Sequence, residues 1–578
     1  MPDKLISNDD PAEILTDRHD VANNLNEHFV KKGPKLASEL PNSDINILNN
    51  LGPRNPYDLT FKPVTDLEVV NIINSLNDKK STGSDDIPSI LLKWALPIIS
   101  KLLSKIFNDF ARLGIYPDEL KIAKVTPLHK KGDKTNVDNF RPISVLTQIN
   151  KIFEKLIHTR LMEFIDKHKI LKEHQFGFRK GHNTSHGITH LNESIIKNLE
   201  KKKVCAILFI DLKSAFDTID PVILTKKLDH YGIRGNFLSL LTSYLQGRKQ
   251  YIKSGDIESA LLPVICGVPQ GSVLGPLLFI LYINDVSNNR NLETSLYADD
   301  AALLHADSKL KSLKVKLNSE LSALNDWFIS NKLTLNLSKT KYMLIANKNK
   351  LTKKERKKFK LTIGKYTLHE VDKIKYLGVI LDNTLSWSSH IEYLGTKLSQ
   401  VASILFKVRD YLTMKSRILI YNGLVGSYLN YGIAAWGSAA PSIQSRLCSA
   451  QNRILRYMTY SPPRSDVTPL YKTHNILSIK EIYLHEVGKF VHSIHNRTAP
   501  SIFNAYLPFV TDYRTTRLRH HNCYALPQPR TERGKCSIVY KGVQLWSFVP
   551  FEFQTLSKKS FSFYFKRYIL DGYIHDQS

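Results

Sequence analysis

The chain is predicted to fold as a mixed α+β protein, because three stretches carry distinct hydrophobic periodicities. Val204 to Ile210 is an unbroken apolar, partly β-branched run, the pattern of a buried strand. Ser295-Leu296 and Ala301 to Leu304 flank Tyr297-Ala298-Asp299-Asp300 as a strand, a tight turn and a returning strand. Leu310, Leu313, Leu317, Leu321, Leu324 and Phe328 then recur at steps of three or four, which predicts an amphipathic helix over 309–329, placed to cover the sheet.

The remaining elements follow in chain order. Residues 1–60 are polar and Asn-rich, with one short helical pattern at Ala22, Leu25 and Phe29, and Pro53 and Pro56 close them; they read as a linker or extension. Val69, Val70, Ile72, Ile73 and Leu76 predict a helix, and Ser81 to Pro88 a loop leading into another at Leu91. Beyond about residue 385 helical patterns continue through Leu405, Leu412, Ile418, Leu424 and Leu429, and residues 510–578 are basic and aromatic. No repeat of fixed period is present.

Chemistry enters where the apolar runs end. Asp-Asp pairs in turns are mostly solvated turn residues, so Asp299 and Asp300 gain meaning only from a partner. Val204–Ile210 ends abruptly in Asp211, and a carboxylate closing a buried strand is costly unless compensated. Pairing of these strands side by side would bring Asp211 to Asp299 and Asp300 as a three-carboxylate cluster. Such a cluster needs a cation, and hard oxygen donors select magnesium or manganese over zinc. Phosphoryl transfer suits a site of this kind.

Composition narrows the partner. With 81 Lys and Arg against 53 Asp and Glu, the net charge is +28, which favours a polyanion, foremost nucleic acid. An anionic membrane is the weaker alternative, since no uninterrupted apolar stretch reaches the roughly 18 residues of a membrane span. Apolar residues make up 42% of the chain, as in ordinary globular proteins rather than disordered ones. Met1 to Asp10 is polar and acidic, unlike a secretory signal, which predicts an intracellular protein. The cysteines at 205, 266, 448, 523 and 536 form no CxxC pair and no zinc spacing, so a zinc knuckle is excluded and the thiols read as reduced packing residues.

A series of motifs stands in one order: Ser81-Thr82-Gly83-Ser84-Asp85, Phe140-Arg141-Pro142-Ile143-Ser144, Gln175-Phe176-Gly177-Phe178-Arg179, Asp211 to Phe216, Gly267 to Ser272, and Tyr297 to Asp300. In this the chain resembles the reverse transcriptases of non-long-terminal-repeat retrotransposons, especially jockey-like elements, over residues 10–578. The resemblance implies a right-hand polymerase: an α+β palm with an antiparallel sheet, helical fingers and thumb, and a basic C-terminal extension. Its expected divisions are 1–60 as the N-terminal extension, 61–385 as fingers and palm, 386–470 as thumb, and 471–578 as the basic aromatic region.

The same resemblance implies roles. Asp211, Asp299 and Asp300 would hold Mg2+, with Mn2+ as a substitute, and Phe216 would block a ribose 2′-hydroxyl; an ordinary core aromatic is the alternative for Phe216. Asp217 and Asp220 read as turn and cap residues. Gln270 would touch the new base pair from a loop where small residues allow close approach. Arg141 would pair with the triphosphate, an arginine fork suiting two phosphate oxygens, with Lys130 or Lys131 assisting. Gln175 and Arg179 would contact the template strand. Lys339 would act as general acid toward pyrophosphate. Tyr376, Leu377 and Gly378 resemble the primer grip, and Tyr431 to Gly437 the thumb.

The expected partners are an RNA template, a DNA primer or target and deoxynucleoside triphosphates, with no membrane. Arg514, Arg517, Arg519, His520, His521, Arg530 and Arg533 beside Tyr513, Tyr524 and Trp546 read either as a single-stranded RNA surface or as a basic face around a small aromatic core. Lys353 to Lys358 reads as a solvated loop or as a nuclear localisation signal, the latter matching a nuclear site of action with cytoplasmic assembly on element RNA. Autonomous relatives usually carry an endonuclease ahead of the polymerase, so the chain is expected to be the polymerase part of a larger reading frame, a truncated copy or a partial gene model, without that nuclease and without a ribonuclease H domain. A non-enzymatic nucleic-acid binder would have lost one of the three acids, and all three stand; a maturase or telomere-extending enzyme would share the palm, but the 140–144 and 431–437 segments favour the jockey-like reading.

Overall fold

The computed structural model describes residues 1–78, 81–288, 290–348, 350–508 and 524–572. Two compact units share the chain in alternation: residues 1–172, 211–290 and 320–336 build the first, and 173–210, 291–319 and 337–578 the second. The units alternate along the chain because strands distant in sequence supply each other's hydrogen-bond partners.

In the first unit a sheet runs in the order Phe140–Val145, Ile122–His129, Arg248–Ser254 and Ile257–Glu258, with Leu262–Val264 also on Arg248–Ser254. The segment read as a linker is part of this unit. Arg18–Ser38 is a helix whose start is capped by Asp17, which accepts from the His19 and Asp20 amides. Its face of Val21, Ala22, Leu25 and Phe29 joins Leu5, Ala123, Val125, Phe140, Leu146 and Ile252 in one core. Asn26, fully buried, donates to the Ala260 carbonyl at 2.8 Å. The 1–60 stretch looked polar because its helix buries only one narrow stripe.

A buried ion pair anchors the same unit. Lys227 Nζ lies 2.6 Å from Asp285 Oδ1, with both side chains at 0–1% exposure. Trp327 Nε1 donates to the other carboxylate oxygen at 2.8 Å and the Tyr282 carbonyl accepts from Lys227 at 2.6 Å. Charges taken out of water need such complete partnering.

The second unit is organised by Val204–Ile210, all seven of whose residues are buried. It pairs antiparallel with Asp300–Asp307 on one side and Lys341–Ile345 on the other; Glu293–Tyr297 and His369–Glu370 complete the five-stranded order. The strands are antiparallel as expected, except that His369–Glu370 runs parallel to Lys341–Ile345. One core joins this sheet to the helices Ser388–Val408, Pro441–Thr459, Ile479–His495, Ile538–Trp546 and Lys558–Leu570. The regions expected as thumb and C-terminal extension are therefore one packed body. Leu310–Ser330 is helical as predicted, with Leu313, Leu317, Leu321, Leu324 and Phe328 buried.

Trp546 is 5% exposed in that core, and Tyr524 packs against it with its hydroxyl 2.7 Å from His495 Nδ1. Trp546 is buried in that core, whereas Tyr524 is half-buried at its edge. Tyr513, Arg514, Arg517, Arg519, His520 and His521 lie outside the described residues. Lys353–Lys358 is a short helix with a Thr352–Glu355 capping box, and Arg356 is held by Glu370 at 2.7 Å. No helix among the described residues is long and apolar enough to cross a membrane.

Burial pushes the Glu193 carboxyl up to about 7 from its ordinary 4.5, while the Ile538 amide donates to it at 3.0 Å. The folded chain thus holds a proton that the unfolded chain has already released, and stability from this group falls as pH rises from about 4.5 to 7. Glu193→Gln, which keeps an oxygen acceptor, is expected to gain thermal midpoint on the wild type between pH 5 and pH 8. Melting curves that stay parallel across that range would assign the slope to other groups.

Candidate active site

The register of the second unit's central pair ends at Ala301 opposite Ile210. The next residues along the two strands are Asp300 and Asp211, so pairing brings these acids to neighbouring strand ends. On the other side of Asp300–Asp307, Asp300 pairs with Tyr297, leaving Ala298 and Asp299 as a two-residue turn. Ala298 adopts φ 54, the left-handed geometry that tight hairpins demand of a turn residue. Asp299 and Asp300 are exposed and Asp211 half-buried.

Gln175 shapes this turn. It is 2% exposed, and its Oε1 accepts from the Ala298 amide at 3.1 Å and from the Gly177 amide at 2.9 Å. The backbone joins in: Phe176 N donates to the Leu296 carbonyl at 2.7 Å, and Leu296 N to the His174 carbonyl at 2.9 Å. The template contact expected of Gln175 thus falls on a buried side chain whose oxygen holds the residue before Asp299, while its Nε2 has no hydrogen-bond partner among the described residues. Arg179 is half-buried, with Nη1 3.3 Å from the Gln175 carbonyl.

The primer-grip segment is a hairpin, Lys373–Tyr376 with Val379–Asp382. Its turn residues Leu377 and Gly378 have φ 43 and 88, the doubly positive pattern of a type I′ turn. The Tyr431 hydroxyl donates to the Leu377 carbonyl at 2.7 Å, and a side chain at Gly378 would stand 2.8 Å from the Tyr431 ring. Gly378 is exposed and Leu377 half-buried. Tyr376 is 6% exposed and its hydroxyl donates to the Ser295 carbonyl at 3.0 Å, which ties this hairpin to the acidic one. Tyr376 thus supports the turn from within rather than offering a surface contact. Trp436, fully buried, donates to the Tyr431 carbonyl at 2.9 Å.

In the first unit, the Asp211 carbonyl accepts from Asn336 N at 2.8 Å and Lys213 N donates to the Thr334 carbonyl at 2.9 Å. The segment after the 310–330 helix therefore braces the Asp211 loop, and Lys339 stands exposed in the turn that follows. Phe216 stacks on buried Phe279 at 4.7 Å and 19°, half-buried, with one ring face fixed on the core. Gln270 is held twice: its carbonyl accepts from Ser144 N at 2.7 Å, and its Nε2 donates to Asp217 Oδ1 at 2.8 Å. Asp217 is more than a turn residue, a role no local pattern signals because its partner lies 53 positions on. Asp220 caps the Pro221–His230 helix as expected. Arg141 is exposed on Phe140–Val145 opposite Leu128, and Lys130 and Lys131 are exposed just beyond the paired strand.

Among the described residues no group of three or more His, Cys, Asp or Glu side chains is gathered closely enough to hold a metal ion. The donor set still fits hard divalent cations: it is all carboxylate oxygen, from neighbouring strand ends, with two of its three acids open to solvent.

Residues 128–381 match the family described as reverse transcriptase (RNA-dependent DNA polymerase). The chain is 31% identical over 444 residues to the probable RNA-directed DNA polymerase from transposon BS of Drosophila melanogaster, covering 73% of this chain and 48% of that protein. To the corresponding X-element protein it is 31% identical over 415 residues, covering 70% and 44%. To the RNA-directed DNA polymerase from mobile element jockey it is 28% identical over 418 residues, covering 70% and 45%. The chain thus spans about half the length of the relatives it matches. Telomerase from Candida albicans shows a loose likeness, with TM-score 0.32 and 13% identity over 69% of this chain and 67% of that one. The mixed sheet-and-helix fold and the family match define a reverse transcriptase domain. Its relatives place the chain among the reverse transcriptases of non-long-terminal-repeat retrotransposons, in the jockey-like group.

Gln175→Met keeps length but removes the acceptor for two backbone amides at the acidic turn. A stability loss of about 2 to 4 kcal/mol is expected in thermal or denaturant melts. Gln175→Glu, which retains an oxygen there, should lose less; equal losses would remove the acceptor as the cause.

Proposed function

We propose that the chain is an RNA-directed DNA polymerase that extends a DNA 3′ end on an RNA template with deoxynucleoside triphosphates, as in target-primed reverse transcription. The observation that carries this reading is the Ala301–Ile210 register, which sets Asp300 and Asp211 at adjacent strand ends beside the Asp299 turn. Asp211, Asp299 and Asp300 would hold divalent magnesium or manganese, which supplies activation of the primer hydroxyl and neutralisation of the leaving pyrophosphate.

The chain's own residues do the positioning. Arg141 offers an exposed guanidinium fork for the triphosphate, with Lys130 or Lys131 beside it in sequence. Phe216, backed by Phe279, is too rigid to yield to a 2′-hydroxyl, so deoxyribose is selected by exclusion. Gln270 meets the new base pair from a loop clamped by Ser144 and Asp217. The Leu377-Gly378 turn, buttressed by Tyr431, presses the primer end into line, and fixed alignment accounts for much of the rate in such reactions. Lys339, exposed, would give a proton to pyrophosphate. In this reading residues 61–385 supply fingers and palm, and residues 386–470 supply the thumb.

A cleft of about 1140 Å³ between Ser388–Val408 and Pro441–Thr459 supports nucleic-acid binding. Arg409, Arg446, Arg453 and Arg456 line it together with Tyr457 and small residues such as Gly395. Arg409 lies 4.4 Å above the Phe406 ring and 4.8 Å above Tyr460, so part of the charge is already fixed in place.

Labelled deoxynucleotide incorporation on a primed RNA template should be robust for the wild type and fall on the order of a hundredfold or more in Asp299→Ala. A wild type that binds template-primer but never extends it would refute the polymerase reading. Replacing Arg446 and Arg453 together by Ala should weaken template-primer binding and reduce the slope of log affinity against log salt by about 2. An unchanged slope would place the phosphate contacts elsewhere.

A further inference from the structure

Asp217 closes the loop that follows Asp211, and the structure ties it to Gln270 from several directions. Its Oδ1 accepts from Gln270 Nε2 at 2.8 Å. The flanking backbones are bonded together, Val268 N donating to the Phe216 carbonyl at 2.9 Å and Gly267 N to the Ile219 carbonyl at 2.8 Å. Cys266 Sγ lies 3.3 Å from the Asp217 carbonyl. The Arg18–Ser38 helix presses on the same spot: a Cβ at Gly33 would stand 2.1 Å from the Asp217 carbonyl oxygen and 2.6 Å from Cys266 Sγ.

An ionised carboxylate only accepts hydrogen bonds, whereas a glutamine amide presents a donor end and an acceptor end of nearly equal shape. Contact with Asp217 therefore decides which end of Gln270 turns inward. Nε2 faces Asp217, and Oε1 is left pointing away from it. Without Asp217 the amide could rotate and would present either end to a nucleotide.

We propose that Asp217 is a positioning residue that fixes the amide orientation of Gln270 and through it the binding and pairing accuracy of the incoming nucleotide, with the N-terminal helix as its backing at Gly33. This rests on the polymerase reading of Gln270 given above. Asp217 touches no reacting atom, so its effect belongs in nucleotide KM and in misincorporation rather than in the affinity for template-primer.

The test is primer extension by the full chain carrying Asp217→Ala, Asp217→Asn, Gln270→Ala and the Asp217→Ala/Gln270→Ala pair. Asp217→Ala is expected to raise nucleotide KM about tenfold and to raise misincorporation, with template-primer affinity within about twofold of wild type. The double variant should be no worse than Gln270→Ala, because a residue that acts only through another adds nothing once the other is gone. Asp217→Asn keeps the size of the side chain but can donate as well as accept, so it no longer dictates the orientation of Gln270 and should raise nucleotide KM and misincorporation in part, which preserves the test if the alanine variant fails to fold. Full additivity of the two alanine effects, or a folded Asp217→Asn that matches the wild type in KM and misincorporation, overturns the inference while leaving the polymerase standing. An inactive wild type overturns the polymerase reading, and this inference falls with it.

Discussion

Everything at the acidic hairpin depends on the register of Val204–Ile210 against Asp300–Asp307. Side chains alternate with period two along a strand, so a slip of one residue would turn the buried set of Asp300–Asp307 to the opposite face and carry Asp300 away from the end of its partner. Burial of all seven residues of Val204–Ile210 makes that slip prohibitive, because it is packed on both faces and paired along both edges. An apolar strand thus specifies the location of charged groups to within one residue. The polar chemistry is exact because the apolar packing beneath it is unforgiving.

Around that register the protein stations a layer of residues whose polar groups face inward. Gln175 and Tyr376 turn buried oxygens onto backbone groups of the acidic hairpin, and the exposed Tyr431 bonds the Leu377 carbonyl. Buried amides and phenols of this kind are costly to leave unpaired, so each holds its turn in one geometry. The exposed acids, arginines and lysines can then remain open to solvent while their backbones stay fixed. Rigidity and availability are divided between different residues.

How much was legible in the sequence follows from the range of each interaction. The 204–210 run, the Tyr297–Asp300 turn and the 310–330 helix were readable because periodicity and turn chemistry are local. Asp220 was readable as a helix cap for the same reason. The internal bonds of Gln175 and Tyr376 were not readable because their partners, Ala298 and Ser295, lie more than 80 positions away. The N-terminal stretch passed for a linker because a helix that buries one stripe against a distant sheet looks polar on average. Likewise Trp546, conspicuous beside basic residues, belongs to a core assembled from segments across the whole second unit. The charge of +28 pointed to a polyanion without indicating where one would lie.

The interleaving of the two units bears on how the chain is made. Synthesis runs from the N-terminus, so Val204–Ile210 leaves the ribosome well before Asp300–Asp307 and Lys341–Ile345, its neighbours on both edges, and long before the helices that complete its core. The first unit likewise waits for residues 320–336. During that interval a fully apolar strand has both edges unsatisfied, the condition under which nascent chains aggregate or recruit chaperones.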